Sequence, residues 1–347
     1  NVVLFKGFQK INQISANKLV LEANQKGTQK LKNDLMLNVI STFLSILSAQ
    51  DQLDAANQQL KVSTQQLDNA IKTYSAGKKM LTDISLARSQ VANAELNITT
   101  IQNQLNNSMV NMIQFMALPP GTKINLVKPT NINEDQFVEK QTSDIYNFAV
   151  NNLPETKQTY LNKLYAQKEI EIAKGGYYPS LSLTGGIASN YSKNLDYKPF
   201  VPGITQPSYL SQFKANLYYY WGVNLTIPIF NNFSTKINVN KAKLNLQDAL
   251  INEENVKNNI YKVITQANDD LNAASKTYNY SKEAYSAAME TYDSVEKRMA
   301  AGLSSSLDLN QALTQMNQAQ FNLINAKYDL IFKSKIIDFY LGKQLAF

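Results

Sequence analysis

From Val256 onward, apolar or small side chains recur at steps alternating between three and four: Val256, Ile260, Val263, Ala267, Leu271, Ala274, Tyr278, then on through Tyr285, Tyr292 and Met299. A sustained 3.5-residue period keeps one stripe turned toward a partner over many turns, so it predicts long helices that supercoil. The same register runs through Leu31, Leu35, Ile46, Ala49, Ala56, Leu67 and Tyr74. Returning seams follow from Ala87 to Leu105 and from Leu309 to Tyr340. A single helix over about 232 to 300 has a length of roughly 100 Å at about 1.5 Å per residue, longer than any globular core. The Ala and Ser in these seams suit a close-packed wall of hairpins; an ordinary coiled-coil rod has the same period.

The pattern is written twice. A constant offset of 225 sets Leu4-Phe5 on Ile229-Phe230 and Phe8 on Phe233, then Lys72, Ala76, Gly77, Asp83, Ala87 and Gln90 on Lys297, Ala301, Gly302, Asp308, Ala312 and Gln315. Such self-similarity marks a repeat architecture. The expected organisation is a first repeat over 1–120 (end of a strand, long helix, tip near 75–82, return helix) and a linker with an upper helix over 121–175. A strand hairpin follows over 176–231, with a loop near 193–212, and then a second repeat over 232–347 with its tip near 299–306. Because 121–225 has no partner within the chain, a matching stretch is expected before Asn1, preceded by a signal peptide.

Between the repeats the period changes to two. Phe213, Ala215, Leu217, Tyr219, Trp221, Val223, Leu225, Ile227 and Ile229 alternate with Lys214, Asn216, Tyr218, Tyr220, Gly222, Asn224 and Thr226. In 177–192, Leu181, Leu183 and Ile187 oppose Ser180, Ser182 and Thr184. Alternation of this kind gives a strand one apolar and one wet face. A soluble sheet packed on one side fits it. So does an outer-membrane barrel, whose girdle aromatics Tyr177, Tyr178, Tyr218, Tyr219, Tyr220 and Trp221 supply. Two strands, or four with the expected missing pair, cannot close a barrel, so any barrel must be shared among subunits.

Composition narrows the chemistry. With 12 Gly and 9 Pro in 347 residues, the long segments are free of helix breakers. No window approaches the roughly 18 to 20 consecutive apolar residues of a spanning helix. Cys and His are both absent, which removes thiolate and imidazole chemistry and lowers the expectation of a hydrolase or metalloenzyme. The +7 charge comes from 34 basic and 27 acidic residues interspersed along the chain, a solvated surface rather than a nucleic-acid footprint. Gly185-Gly186 lies in a strand and is no phosphate loop.

The duplicated order of strands, long helix, tip and return helix resembles the TolC-like outer-membrane efflux protein family. So do the junction WGVNLTIPIFNNFSTKINVNKAK and the tips YSAGKKMLTDISLARSQ and RMAAGLSSSLDLNQALTQ. The resemblance implies a mainly α chain with membrane β-structure. Long antiparallel coiled-coil hairpins would form an α-barrel tunnel joined to a trimeric 12-stranded outer-membrane β-barrel. It also implies a homotrimer in outer-membrane lipid that passively exports substrates in a tripartite efflux or type I secretion system of a Gram-negative bacterium. Its implied partners are a periplasmic adaptor (membrane fusion protein) and an inner-membrane RND or ABC transporter, with no nucleic acid, cofactor or enzymatic activity.

At the tips the plain reading is steric, since a left-handed glycine at Gly77 and Gly302 ends a helix, and Ser305 with Asp308 reads as a capping box. The resemblance adds adaptor-facing candidates Ala76, Gly77, Lys78, Arg298, Gly302 and Leu303, and gate candidates Asp83, Asp308, Lys79, Ser304 and Gln311. Ser304 and Gln311 stand where the family pattern has a base and a second acid. The competing reading is a surface-anchored structural coiled-coil fibre or adhesin, which explains the seams but not a duplication carrying strands.

Overall fold

The computed structural model describes residues 1–77, 80–119, 121–128, 141–193, 207–343 and 345. Two helices of 67 residues, α1 (Gln9–Ser75) and α6 (Ser234–Ala300), are each followed by one of 35, α2 (Leu81–Phe115) and α7 (Ser306–Tyr340). Each boundary in the second pair lies 225 residues beyond its counterpart: 9 and 234, 75 and 300, 81 and 306, 115 and 340. Two shorter helices, α3 (Thr142–Asn152) and α4 (Pro154–Lys174), lie between the pairs. Pro154 separates them by holding Leu153 extended (ψ 139°), since a residue before proline avoids the helical region. No described helix is long and apolar enough to cross a membrane.

The chain divides into two units, residues 1–26 with 157–255 and residues 27–156 with 256–347. The first contains an antiparallel sheet in the order β1 (Val2–Lys6), β2 (Ser180–Ala188), β3 (Tyr218–Thr226). Register sets Leu181 opposite Leu225, Leu183 opposite Val223 and Ile187 opposite Tyr219, so these share one face, which Phe5 and Val2 extend. Ser182, Asn224, Thr184 and Gly222 share the other. Nothing among the described residues covers much of the apolar face: Trp221 is 82% exposed and Tyr219 72%.

The third strand is shorter than its alternation predicts. Phe213 and Ala215 lie in a helical segment, α5 (Tyr209–Ala215), started by Ser208, whose hydroxyl accepts from the Ser211 amide, and ended at Asn216. Tyr209 meets Tyr191 edge-on at 5.1 Å and stacks near Phe213 at 6.1 Å. A cap and aromatic contacts at the loop end outcompete a period-2 pattern there. Ile227 and Ile229 fall beyond the last paired residue. The rest of the expected loop, 194–206, and 129–140 of the linker lie outside the described residues.

Each long helix is entered through two successive left-handed residues, Gly7 and Phe8 (φ 51° and 59°) before α1, and Asn232 and Phe233 (51° and 59°) before α6. Asn suffices at the second junction because it tolerates this conformation. At position 7 a Cβ would stand 2.1 Å from the Gly175 carbonyl oxygen, so only glycine fits. The Gln9 amide then donates to the Ile172 carbonyl at 3.0 Å. Lys163 of α4 pairs with Glu253 of α6 at 2.8 Å, both largely buried.

In the second unit, α3 lays Ile145, Ala149 and Leu153 against Ile260, Ile264, Ala267 and Leu271 of α6, with Ala326, Leu330 and Ile337 of α7 in the same core. A second cluster joins Ile40, Leu44 and Leu47 of α1 to Tyr328 and Ile331 of α7. The α1 seam is buried from Ile46 through Ala49, Ala56, Ser63 and Ala70, whereas Leu31 and Leu35 are exposed at 67% and 43%. The bond from Gln52 to Asn325 sets an antiparallel register in which α7 ends about level with Leu37, which leaves Leu35 and Leu31 beyond the end of that helix.

Candidate functional site

The two hairpin tips and the sheet hold the candidate residues. At the second tip the Leu303 amide donates to the Arg298 carbonyl at 2.8 Å and the Gly302 amide to the Met299 carbonyl at 3.0 Å, with Gly302 at φ +76°. This pair of bonds is the Schellman ending, which requires a left-handed residue at Gly302. A Cβ at Gly302 would meet nothing within 4 Å, so conformation and not space selects glycine. The Arg298 guanidinium donates back to the Leu303 carbonyl at 3.5 Å, bringing those two candidates together.

The return helix starts on a capping box. Asp308 Oδ2 accepts from the Ser305 amide (2.9 Å), the Ser305 hydroxyl (2.8 Å) and the Ser304 hydroxyl (3.1 Å), while Ser305 Oγ accepts from the Asp308 amide at 3.1 Å. The Ser305 amide and hydroxyl, then Ser304 and the charge of Arg298, hold this exposed carboxyl below its usual range. Asp308 and Ser304 thus meet, and Gln311 is exposed one turn further on.

The first tip lacks the hydroxyls. Gly77 is again left-handed (φ +73°) and its amide donates to the Tyr74 carbonyl at 2.8 Å. Asp83 accepts from the Met80 amide at 3.1 Å. Ala76 is exposed beside Gly77; Lys78 and Lys79 lie outside the described residues.

Between the two hairpins lies a groove of about 330 Å³ with Gln66, Asn69, Thr73 and Asp83 on one side and Glu296, Ser306 and Asn310 on the other. Asp83 lines it; Asp308 does not. Tyr292 donates to Glu296 at 3.3 Å, and its hydroxyl is pushed up to about 12 by burial and then by the Glu296 charge. Gln66, Asn69, Glu296 and Asn310 escape the sequence reading, although amides close to an apolar seam are a signal for such a groove.

In the sheet, Tyr177 and Tyr178 precede β2 at the end where Ser180 faces Thr226, and Tyr218 starts β3 opposite Ala188. Tyr177 and Tyr178 thus lie at one end, and Tyr218 to Tyr220 at the other, of strands about 30 Å long at roughly 3.3 Å per residue, whereas Trp221, opposite Gly185, lies nearer the middle. The helix-side end carries further aromatics that sequence reading used only for alignment. Phe5 meets Phe8 at 5.2 Å, Phe8 meets Tyr178 at 6.2 Å and Phe230 meets Phe233 at 5.6 Å, all edge-on.

Comparison with known proteins gives one answer. The chain is 23% identical over 340 residues to "Outer membrane protein TolC" of Salmonella enteritidis, covering 93% of this chain. It spans 65% of that relative's own length. It is 22% identical over 330 residues to TolC of Vibrio cholerae, covering 93% of this chain and 72% of that protein. The fold is similar to a crystal structure of CusC (TM-score 0.78, 17% identity, 98% of this chain and 76% of that one). It is also similar to the Campylobacter jejuni CmeC outer membrane channel (TM-score 0.76, 17% identity, 98% and 70%). A family model described as Outer membrane efflux protein matches residues 2–117 and 146–343, and the chain belongs to that family.

Proposed function

We propose that this chain is one subunit of an outer-membrane channel through which substrates delivered from an inner-membrane pump leave a Gram-negative cell. The observation that carries this reading is the sheet. It exposes an apolar face bearing Tyr219, Trp221, Val223 and Leu225, and its outer strands β1 and β3 have no second partner among the described residues. In water such a face and such edges invite aggregation; in a bilayer they require closure with strands of other copies. The described sheet has three strands, and a fourth per chain would let three copies close a twelve-stranded barrel; the displacement of every long-helix boundary by 225 residues fits an internal duplication whose hairpins wall a tunnel.

Transport is then passive, and no step requires a catalytic group. The tips Ala76, Gly77, Lys78, Arg298, Gly302 and Leu303 meet a periplasmic adaptor, which links the channel to an RND or ABC pump in an efflux or type I secretion assembly. Threefold symmetry turns Asp308 into a ring of carboxylates that attracts cations. Asp83, Lys79, Ser304 and Gln311 are its candidate companions.

Single-channel recording in planar bilayers tests the reading. Discrete conductance is expected, whereas a structural fibre or adhesin gives none. Asp308→Asn reduces cation preference if the ring forms the gate; unchanged selectivity removes the ring and leaves the channel.

A further inference from the structure

The junction of sheet and helices has a segregated charge that export does not explain. Residues 1–21, 172–193 and 207–247 contain lysines but no aspartate or glutamate. Four lysines gather at the helix-side end of the strands. Lys6 ends β1 opposite Ser180, Lys10 lies in the first turn of α1, Lys174 ends α4 and Lys236 lies in the first turn of α6. All four are exposed, and none has an ion-pair partner among the described residues. Lys10 donates only to the Val3 carbonyl, at 3.2 Å. The nearest acid in sequence, Glu171, is engaged by Lys168 at 2.7 Å.

Apolar surface adjoins this charge. Ile229 is 95% exposed and Phe230 71%. With Phe233 they line a pocket of about 220 Å³ that Tyr177 and Lys236 complete. A hydrocarbon-facing wall beside an ammonium group accommodates an acyl chain and a phosphate together, and lysine stems reach along apolar surface to present their charge at a headgroup. The first junction repeats the chemistry with Phe5, Phe8, Lys6 and Lys10.

We propose that this collar binds phospholipids of net negative charge, such as phosphatidylglycerol, in the leaflet on the helix side of the membrane. The inference rests on the reading that the strands lie in the bilayer, and it adds selection among lipids. A zwitterionic lipid offers the same phosphate but cancels its charge with its own amine, so the unpaired lysines discriminate between the two.

Native mass spectrometry of the detergent-solubilised full chain, offered equal amounts of phosphatidylglycerol and phosphatidylethanolamine, tests it. The wild type is expected to retain phosphatidylglycerol preferentially by at least about tenfold, given roughly fivefold per lysine. Combined Lys6→Gln, Lys10→Gln, Lys174→Gln and Lys236→Gln removes that preference. Lys282→Gln with Lys297→Gln, on α6 well away from the collar, keeps it. Equal retention of both lipids by the wild type overturns the proposal without need of any variant. So does a preference that survives loss of all four lysines, or displacement of the lipid by millimolar inorganic phosphate, which marks a free-phosphate site. Planar-bilayer conductance separates the levels: conductance without lipid preference sinks the collar alone, and absence of conductance sinks the channel reading beneath it.

Discussion

Tyr328 of α7 donates its hydroxyl to the carboxylate of Asp51 on α1 at 2.7 Å, and the same carboxylate pairs with Lys128 of the segment that follows α2. One aspartate thus joins three parts of the second unit. Burial and then the Asp51 carboxylate push the Tyr328 hydroxyl far above its ordinary range, so it stays a donor at any physiological pH. Beside it, Gln52 donates to Asn325 at 2.7 Å.

Tyr328→Phe keeps the ring in its apolar cluster and deletes only the bond to a charged acceptor. A loss of about 1.5 to 3 kcal/mol is expected in denaturant unfolding. Asp51→Ala costs more, because it strands both partners; equal losses for the two variants contradict the three-way link.

Gly302→Ala forces a Cβ into the left-handed region with no clash to relieve, at a cost of about 1 kcal/mol. Gly302→Asn costs less, because asparagine is the tolerated substitute at this helix ending. Thermal unfolding of the two variants ranks them, and an alanine variant as stable as wild type refutes the conformational argument.

The capping carboxyl of Asp308 titrates below its ordinary value in the folded tip. A depressed acid contributes stability that is full above its unfolded pKa and fades as pH falls through the folded one, so the start of α7 frays below about pH 4. Amide exchange at 306–309 reads this directly. Faster exchange is expected at pH 3 relative to pH 6 after correction for intrinsic rates, and Ser305→Ala makes the same amides exchange faster at pH 6.

Trp221 is the sole tryptophan of the chain and lies on the open apolar face, 82% exposed. In vesicles containing brominated lipid its fluorescence is quenched, and in detergent without bromine it is not. Unquenched emission from protein incorporated in such vesicles contradicts a lipid-facing sheet.

Much of this was legible along the chain because it is local. A 3.5-residue period over dozens of residues leaves few alternatives to a long helix, and a serine three positions before an aspartate carries its own cap, so α6, α7 and the Ser305–Asp308 box follow from neighbours in sequence. The seam also announces which side of each helix is apolar. It is silent on which helix meets it: Leu31 continues the period and lies bare, while Ala49, in the same register, is fully buried. Pairings across hundreds of positions, Asp51 with Tyr328 or Gly7 against Gly175, depend on where distant backbone comes to rest, and no local pattern encodes that. Likewise α5 interrupts an alternation that holds through Phe213, because capping and stacking partners reach it from outside the window in which the alternation is read. Periodicity determined the elements here, and long-range packing decided what each face touches.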